Sequence, residues 1–404
     1  MTRPSARQSA VGLALVLLAN PALFADTVSF VNGDESRQTT LTSVADGRAI
    51  LRTPNGDWNV PVANLATARL SESTPESAAG SRNLYLHNGD KLDGTITGEG
   101  ETVRLDSAHV KGLTAPLDSV KAVRFGRLLG TQAKFEDAFQ ELLAKNRHAV
   151  LMRRGDKPFP LEARVLALTG KTVRVLLGET PRDVDAQKVY GFVRAKEDTA
   201  PAADVVRARA FLVDGGRVTI PLESMDKAEL RGGGATIARE AVLRIEIESP
   251  LAKRLSELEP INVEEVSLFG KPRPWRRNEM VIGGALRMRG KTYTSGLGVH
   301  TRSRIEFVLG GRWKLFFVRC GIDDAAGDEG AAVFRVHRDN EPEPRSAKLT
   351  RSDRPVTMRI DVTGVDRLVL EVLPGGSYTS DFCDWADARL SNPEKMDPPP
   401  TNQK

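Results

Sequence analysis

Two stretches decide the fold: Thr27-Val-Ser-Phe-Val-Asn-Gly-Asp34 and Asn83-Leu-Tyr-Leu-His-Asn-Gly-Asp90. Each alternates apolar and polar residues and runs into Asn-Gly-Asp. Alternation puts one set of side chains on one face of a strand, and Asn-Gly supplies the positive φ of a tight hairpin. A second alternating run follows each, at 49–52 and 102–105. Each unit closes on a similar tail, Val60-Pro-Val-Ala-Asn-Leu-Ala-Thr-Ala-Arg-Leu70 and Ala115-Pro-Leu-Asp-Ser-Val-Lys-Ala-Val-Arg-Phe125.

Weaker copies open at 149–156 and 207–215 and close at 189–193 and 242–247. The repetition predicts four β modules of about 45 residues, over 26–75, 80–127, 148–197 and 205–248, each a small antiparallel sheet or barrel. A helix is expected between the second and third, over 129–147: Phe135, Ala138, Phe139, Leu142 and Leu143 form an i, i+3, i+4, i+7, i+8 stripe suited to packing between modules. Leu251, Leu255 and Leu258 suggest a further short helix ending at Pro260, where the last domain is expected to begin. Arg154-Gly-Asp156 occupies the turn position of its repeat and reads as a turn rather than an adhesion motif.

Composition agrees with a mainly β protein. Aromatic residues make up 5% of 404, while 35 Gly and 23 Pro favour many short strands and turns. A polytopic membrane protein, a coiled coil and a collagen-like chain are excluded. Residues 1–25 have Arg3 and Arg7, an apolar stretch 11–19 and small residues before Asp26, the pattern of a signal peptide too short to span a bilayer. Its removal would lower the net charge from +5 to +3, which is weak support for a nucleic-acid or other polyanionic partner. The expected location is therefore secreted, periplasmic or cell-envelope. The Pro-rich tail 393–404 is expected to be disordered.

Residues 255–392 read as eight or more short alternating strands, enough for a β-sandwich or jelly roll. Thr292-Tyr-Thr-Ser-Gly-Leu-Gly-Val-His300, Phe317-Val-Arg-Cys-Gly-Ile-Asp-Asp324 and Ser380-Asp-Phe-Cys-Asp-Trp-Ala-Asp-Ala-Arg-Leu390 follow in order. Together they resemble the NPCBM family, carbohydrate-binding modules first noted beside glycosidase domains. The resemblance covers about a third of the chain. It implies a galactose-binding-like β-sandwich that holds sugars in loops at one end, in a fold where a structural calcium ion is common. The family usually has an apolar residue where Cys320 stands and often a His where Cys383 stands. The departure at both positions supports a local disulfide, which export would permit; two buried free thiols are the alternative.

A sugar site needs polar groups for hydroxyls and an aromatic face for C–H groups. The candidates are His300, Asp323, Asp324, Tyr378, Asp381, Asp384 and Trp385. Asp323, Asp384 and Asp387 are candidate calcium ligands. Each has a plainer reading: Trp385 as core, His300 as an internal hydrogen-bonder, and Asp323 with Asp324 as turn caps. Arg287, Arg289 and Lys291 join the stretch 271–277 as a basic patch, either a solvated loop or a contact for anionic glycan.

Catalytic motifs are missing. There is no His-Glu-x-x-His or Gly-x-Ser-x-Gly, and Gly170-Lys-Thr172 and Gly290-Lys-Thr292 lack the earlier Gly of a phosphate loop. The expected function is an exported non-catalytic protein that binds a glycan or cell-envelope polysaccharide, its N-terminal modules serving as spacer or as a surface for protein partners. The rival is a cell-envelope structural or protein-interaction protein with no sugar affinity. A hydrolase is a weaker third reading.

Overall fold

The computed structural model describes residues 27–71, 82–125, 133–145, 147–196, 205–266, 274–339, 341–345, 348–376 and 382–401. The signal-peptide segment 1–25 and the candidates Tyr378 and Asp381 lie outside them.

The chain is mainly β, with one α-helix among the described residues. In each of the first four segments an opening hairpin and a closing strand belong to one 12-stranded sheet. The third segment lies at one edge, followed by the second, the fourth and the first. The sheet is continuous because closing strands pair across segments. Val120–Arg124 pairs with Val189–Val193, and Leu65–Arg69 with Val242–Glu248. A 3-10 turn precedes every closing strand, at Val62–Asn64, Leu117–Ser119, Ala186–Lys188 and Arg239–Ala241. The middle strands form a second layer, and one apolar core runs from Val28 to Ile247 through all four segments. One edge of the long sheet is Lys157–Leu161, where Pro158 and Pro160 withhold their N–H groups and blunt further pairing.

The helix is Ala133–Ala144, and Phe135, Phe139 and Leu142 bury its apolar stripe against Ala149, Leu151, Tyr190 and Val193. Leu251, Leu255 and Leu258 do not make an α-helix. Instead Ala252–Arg254 is a strand and Leu255–Glu257 a single 3-10 turn. That strand pairs with residues 389–391, so the sandwich takes in chain upstream of Pro260.

Two sheets form the sandwich. The first has the order Arg276–Arg277, Gly296–His300, Phe382–Ser391, Leu315–Ile322, Val356–Asp361. The second has the order Asn262–Glu265, Ser303–Val308, Arg367–Pro374, Ala331–Arg338, Glu341–Arg345. Phe316, Val318, Cys320 and Trp385 from one sheet meet Ile305, Phe307, Phe334 and Leu370 from the other. The outer face of the first sheet is covered as well. The hairpin formed by Leu286–Met288 and Lys291–Tyr293 packs on Ala386, and the Asn32-Gly33-Asp34 turn packs on Phe317.

The turns have a common build and different fates. Gly33 and Gly89 have φ of +88° and +90°. The side chains of Asn32 and Asn88 accept the amides of Asp34 and Asp90 at 3.0 and 2.9 Å. Asp90 then accepts Thr219 N and Oγ1 at 2.7 and 2.9 Å, which ties the second segment to the fourth. The first turn ties to the sandwich: Arg359 donates to Gly33 O at 2.9 Å, Arg389 to Val31 O at 3.0 Å and Arg319 to Glu35 at 2.5 Å. Arg154-Gly155-Asp156 is a hairpin turn, and nothing packs on Gly155.

The tail is not free. Glu394 N donates to Asn64 at 2.9 Å, Trp58 Nε1 donates to Asp397 O at 2.9 Å, and Met396 packs on the N-terminal core. The expectation of disorder from 393 fails because Asn64 and Trp58 satisfy this backbone, which the proline content did not foretell.

A methyl group on Gly33 would lie 2.0 Å from the Phe317 ring, while one on Gly155 would meet nothing. Both glycines have positive φ, so Gly155→Ala should cost about 1 kcal/mol of backbone strain and Gly33→Ala about 3 kcal/mol. Denaturant midpoints measure the difference, and equal costs would show that the turn does not dock on Phe317 in solution.

Candidate functional site

The hairpin turn Arg289-Gly290 builds the first feature. Both residues have positive φ, +51° and +76°, the backbone of a two-residue primed turn. Their amides converge on Asp324, whose carboxylate accepts Arg289 N and Gly290 N at 2.8 Å each. Such a pair of N–H groups forms an anion-holding nest. Next to it, Asp323 accepts Arg287 N at 2.9 Å and Ala325 N at 2.7 Å. The two aspartates therefore clamp the hairpin to the end of Leu315–Ile322, and their turn-capping role is the one observed.

Beyond this clamp an open cleft of about 860 Å³ lies at one end of the sandwich. Arg287, Arg289 and Arg351 bring guanidinium groups to it, Thr350 and Ser352 bring hydroxyls, and Asp324 and Asp328 bring carboxylates. Arg351 pairs with Asp328 at 3.1 Å and Arg287 with Asp324 at 3.4 Å. Asp353 accepts Thr350 N at 2.8 Å and so shapes the loop that presents Thr350 and Ser352. Hydrogen bonds from the Thr350 hydroxyl and then its amide hold the Asp353 carboxyl below the ordinary range. The basic patch had already pointed to Arg287 and Arg289. Arg351, Thr350, Ser352 and Asp328 were missed, because they sit on separate loops with no local motif.

His300 ends the strand Gly296–His300, and its Nδ1 lies 2.7 Å from Thr301 O. A carbonyl only accepts, so Nδ1 carries the proton in this contact and a neutral ring presents Nε2 as an acceptor. Nε2 stands 4.0 Å from Glu265 Oε1 on the other sheet, and both atoms are buried with no hydrogen-bond partner among the described residues. Burial pushes the Glu265 carboxyl up, against the pull of His300 and the Trp275 amide. Glu265 carried no sequence signal beyond its place in an alternating strand.

The other candidates are corrected. Trp385 is fully buried and packs edge-on against Phe334 at 5.0 Å, so it is core and not a platform. Asp384 is fully buried beneath the hairpin, away from any ligand surface. Asp387 pairs with Arg319 at 2.5 Å, because a bulge in Phe382–Ser391 turns it out toward that guanidinium. Asp323, Asp384 and Asp387 are thus not one calcium site. Both Asp323 oxygens already accept backbone N–H groups, whose positive ends would also oppose a cation. Among the described residues no group of three or more His, Cys, Asp or Glu is placed to hold a metal. Cys320 and Cys383 are both buried, and no disulfide joins the two. Cys320 faces Trp385 across the sheet and Cys383 faces Ile322, so the cysteines are diagonal rather than opposite, a longer reach for a disulfide. Burial pushes the Cys320 thiol up.

Burial raises the Asp384 carboxyl well above its ordinary value of 3.8, and the neighbouring Asp323 and Asp324 charges add to this. A raised acid binds its proton more tightly in the folded state than in the unfolded chain. Its contribution to stability is full below the unfolded value and is lost as pH rises through the folded one. The parent should therefore lose stability relative to Asp384→Asn as pH climbs above about 3.8. Unfolding free energies of the two proteins over that range measure it. Parallel curves would show that Asp384 is not held protonated.

Residues 252–391 match the NPCBM/NEW2 domain family. A protein of Renibacterium salmoninarum named "Putative endo-alpha-N-acetylgalactosaminidase" is 31% identical over 109 residues, which are 27% of this chain and 7% of that protein. The chain thus matches only a small part of this curated relative. Among solved structures, a CBM51 module from Clostridium perfringens GH95 in complex with methyl-galactose is 27% identical and covers 35% of this chain and 99% of its own, with a TM-score of 0.32. The CBM51-2 and INT domains of Clostridium perfringens ZmpB in complex with GlcNAc are 23% identical and cover 35% of this chain and 31% of their own, also at 0.32. The clamped hairpin, the end cleft and the two stacked sheets lie within the matched span, and residues 252–391 are an NPCBM/NEW2 domain carried on a four-segment β array.

Proposed function

We propose that this is an exported, non-catalytic protein, secreted or held in the cell envelope, whose C-terminal sandwich binds a glycan in the cleft at Asp324. The match of residues 252–391 to the NPCBM/NEW2 family carries the reading. The signal-like segment 1–25 supports export, and no described helix is long and apolar enough to cross a membrane. The glycosidase name of the Renibacterium salmoninarum relative fits a glycan partner for the shared region.

The cleft supplies suitable chemistry. Arg287, Arg289 and Arg351 donate in planar pairs to hydroxyl or carboxylate oxygens, Thr350 and Ser352 exchange donor and acceptor roles with hydroxyls, and Asp328 accepts. Tyr378 is the proposed aromatic platform and Asp381 a further acceptor. The N-terminal array holds the sandwich at a distance from its anchorage and offers a surface to protein partners.

A glycan array probed with the full chain tests this, followed by calorimetry on the best glycan. Arg289→Ala combined with Arg351→Ala should weaken binding by at least about tenfold and leave the melting temperature near that of the parent, since both side chains lie at the surface. The absence of binding to any glycan by the folded chain would overturn the reading. Cleavage of a bound glycan would overturn its non-catalytic part.

A further inference from the structure

A second cleft, of about 480 Å³, opens where the sandwich meets the first and fourth segments of the array. The Arg207–Leu212 strand brings Arg207 to it, Val242–Glu248 brings Glu246 and Glu248, and Trp313 and Arg389 come from the sandwich. The volume falls in the range of small-molecule sites, roughly 300–1,000 Å³.

Its charges are unevenly matched. Glu246 is buried and paired with Arg254 at 2.8 Å and with Arg244. Burial pushes its carboxyl up, but the two arginines overcome this and hold it below the ordinary value. Glu248 pairs with Arg209 at 2.5 Å, Glu257 with Lys253 at 3.0 Å and Asp387 with Arg319 at 2.5 Å. Every acid that lines the cleft is thus neutralised by its own base. Two guanidinium groups are not. Arg389 donates to the carbonyls of Val31 and Phe30, which carry no charge, and burial draws it down to about 10. Arg207 has no side-chain hydrogen bond or ion pair among the described residues; its Nε is enclosed, and its terminal nitrogens are the donors left to the cleft. A half-buried guanidinium with no ion pair of its own favours an anion, and a carboxylate matches its planar fork. Trp313 adds a flat apolar face in the same cleft, and Val205, Ile247 and Pro250 add apolar wall.

We propose that this cleft binds a carboxylate-bearing sugar of monosaccharide size, its carboxylate on Arg207 and its ring against Trp313. The site is separate from the cleft at Asp324 and does not depend on the function proposed for it. It exists only in the assembled chain, since neither the array nor the sandwich supplies both Arg207 and Trp313.

Calorimetry of the full chain with glucuronic acid, glucose and acetate tests the proposal. Glucuronate should bind at least about tenfold more tightly than glucose or acetate, because only it offers both carboxylate and ring. Arg207→Gln should remove at least about tenfold of that affinity, and should do so equally in a background of Arg289→Ala and Arg351→Ala, where the other cleft is disabled. Glucuronate should also quench tryptophan fluorescence in the parent but not in Trp313→Phe, a conservative change that keeps the fold. Equal affinity for glucose or acetate would overturn the proposal. So would undiminished binding by Arg207→Gln.

Discussion

The arrangement of the molecule depends on one contact, the seat of Gly33 on the Phe317 ring. Phe317 points out of the sandwich, where an apolar ring would ordinarily be left in water. Here it is fully buried, and Arg389, Arg319 and Arg359 surround it at 4.5, 5.0 and 5.6 Å from its centroid. A guanidinium over a ring face is attracted by the ring's quadrupole and still has its edge free for hydrogen bonds. Those edges reach the backbone and acids of the first segment, so one aromatic ring organises three arginine contacts across the junction. Only a residue without Cβ lets the backbone approach this closely.

The sandwich sheet that carries Phe317 is therefore buried on both faces, one against the partner sheet and the other shared between the first segment and the 286–293 hairpin. This changes the meaning of its polar residues. On an open face Asp384 and Asp387 would be ligand groups. Under a lid they become an acid whose carboxyl burial pushes up and one half of an ion pair. What remains for recognition is the end of the sandwich and the seam between its flank and the array.

Much of the fold could be read locally. The Asn-Gly turns at 32–33 and 88–89 could be read because the positive φ of a tight hairpin is a property of a few residues. Phe135, Phe139 and Leu142 betrayed their helix through spacing alone. The tail misled, because its prolines say nothing about whether Asn64 and Trp58 stand ready to bond its backbone. The leucines at 251, 255 and 258 misled for a related reason: strand pairing with residues 389–391 overrode a weak helical spacing. At the site, Asp323 and Asp324 follow directly on the strand Leu315–Ile322. Their partners, the amides of a hairpin more than thirty residues away in the chain, carry no side-chain signature.

Strand, turn and helix positions follow from the chain's own letters, as does the sandwich, because each rests on periods and backbone preferences that act over a few residues. Folding assigns everything that needs two distant surfaces: which segments pair their closing strands, which turn finds Phe317, whether a strand's outer face meets water or a lid, and which arginine is left without an acid. Those outcomes depend on long-range contact and on the dielectric around each group, and an isolated stretch of sequence has neither.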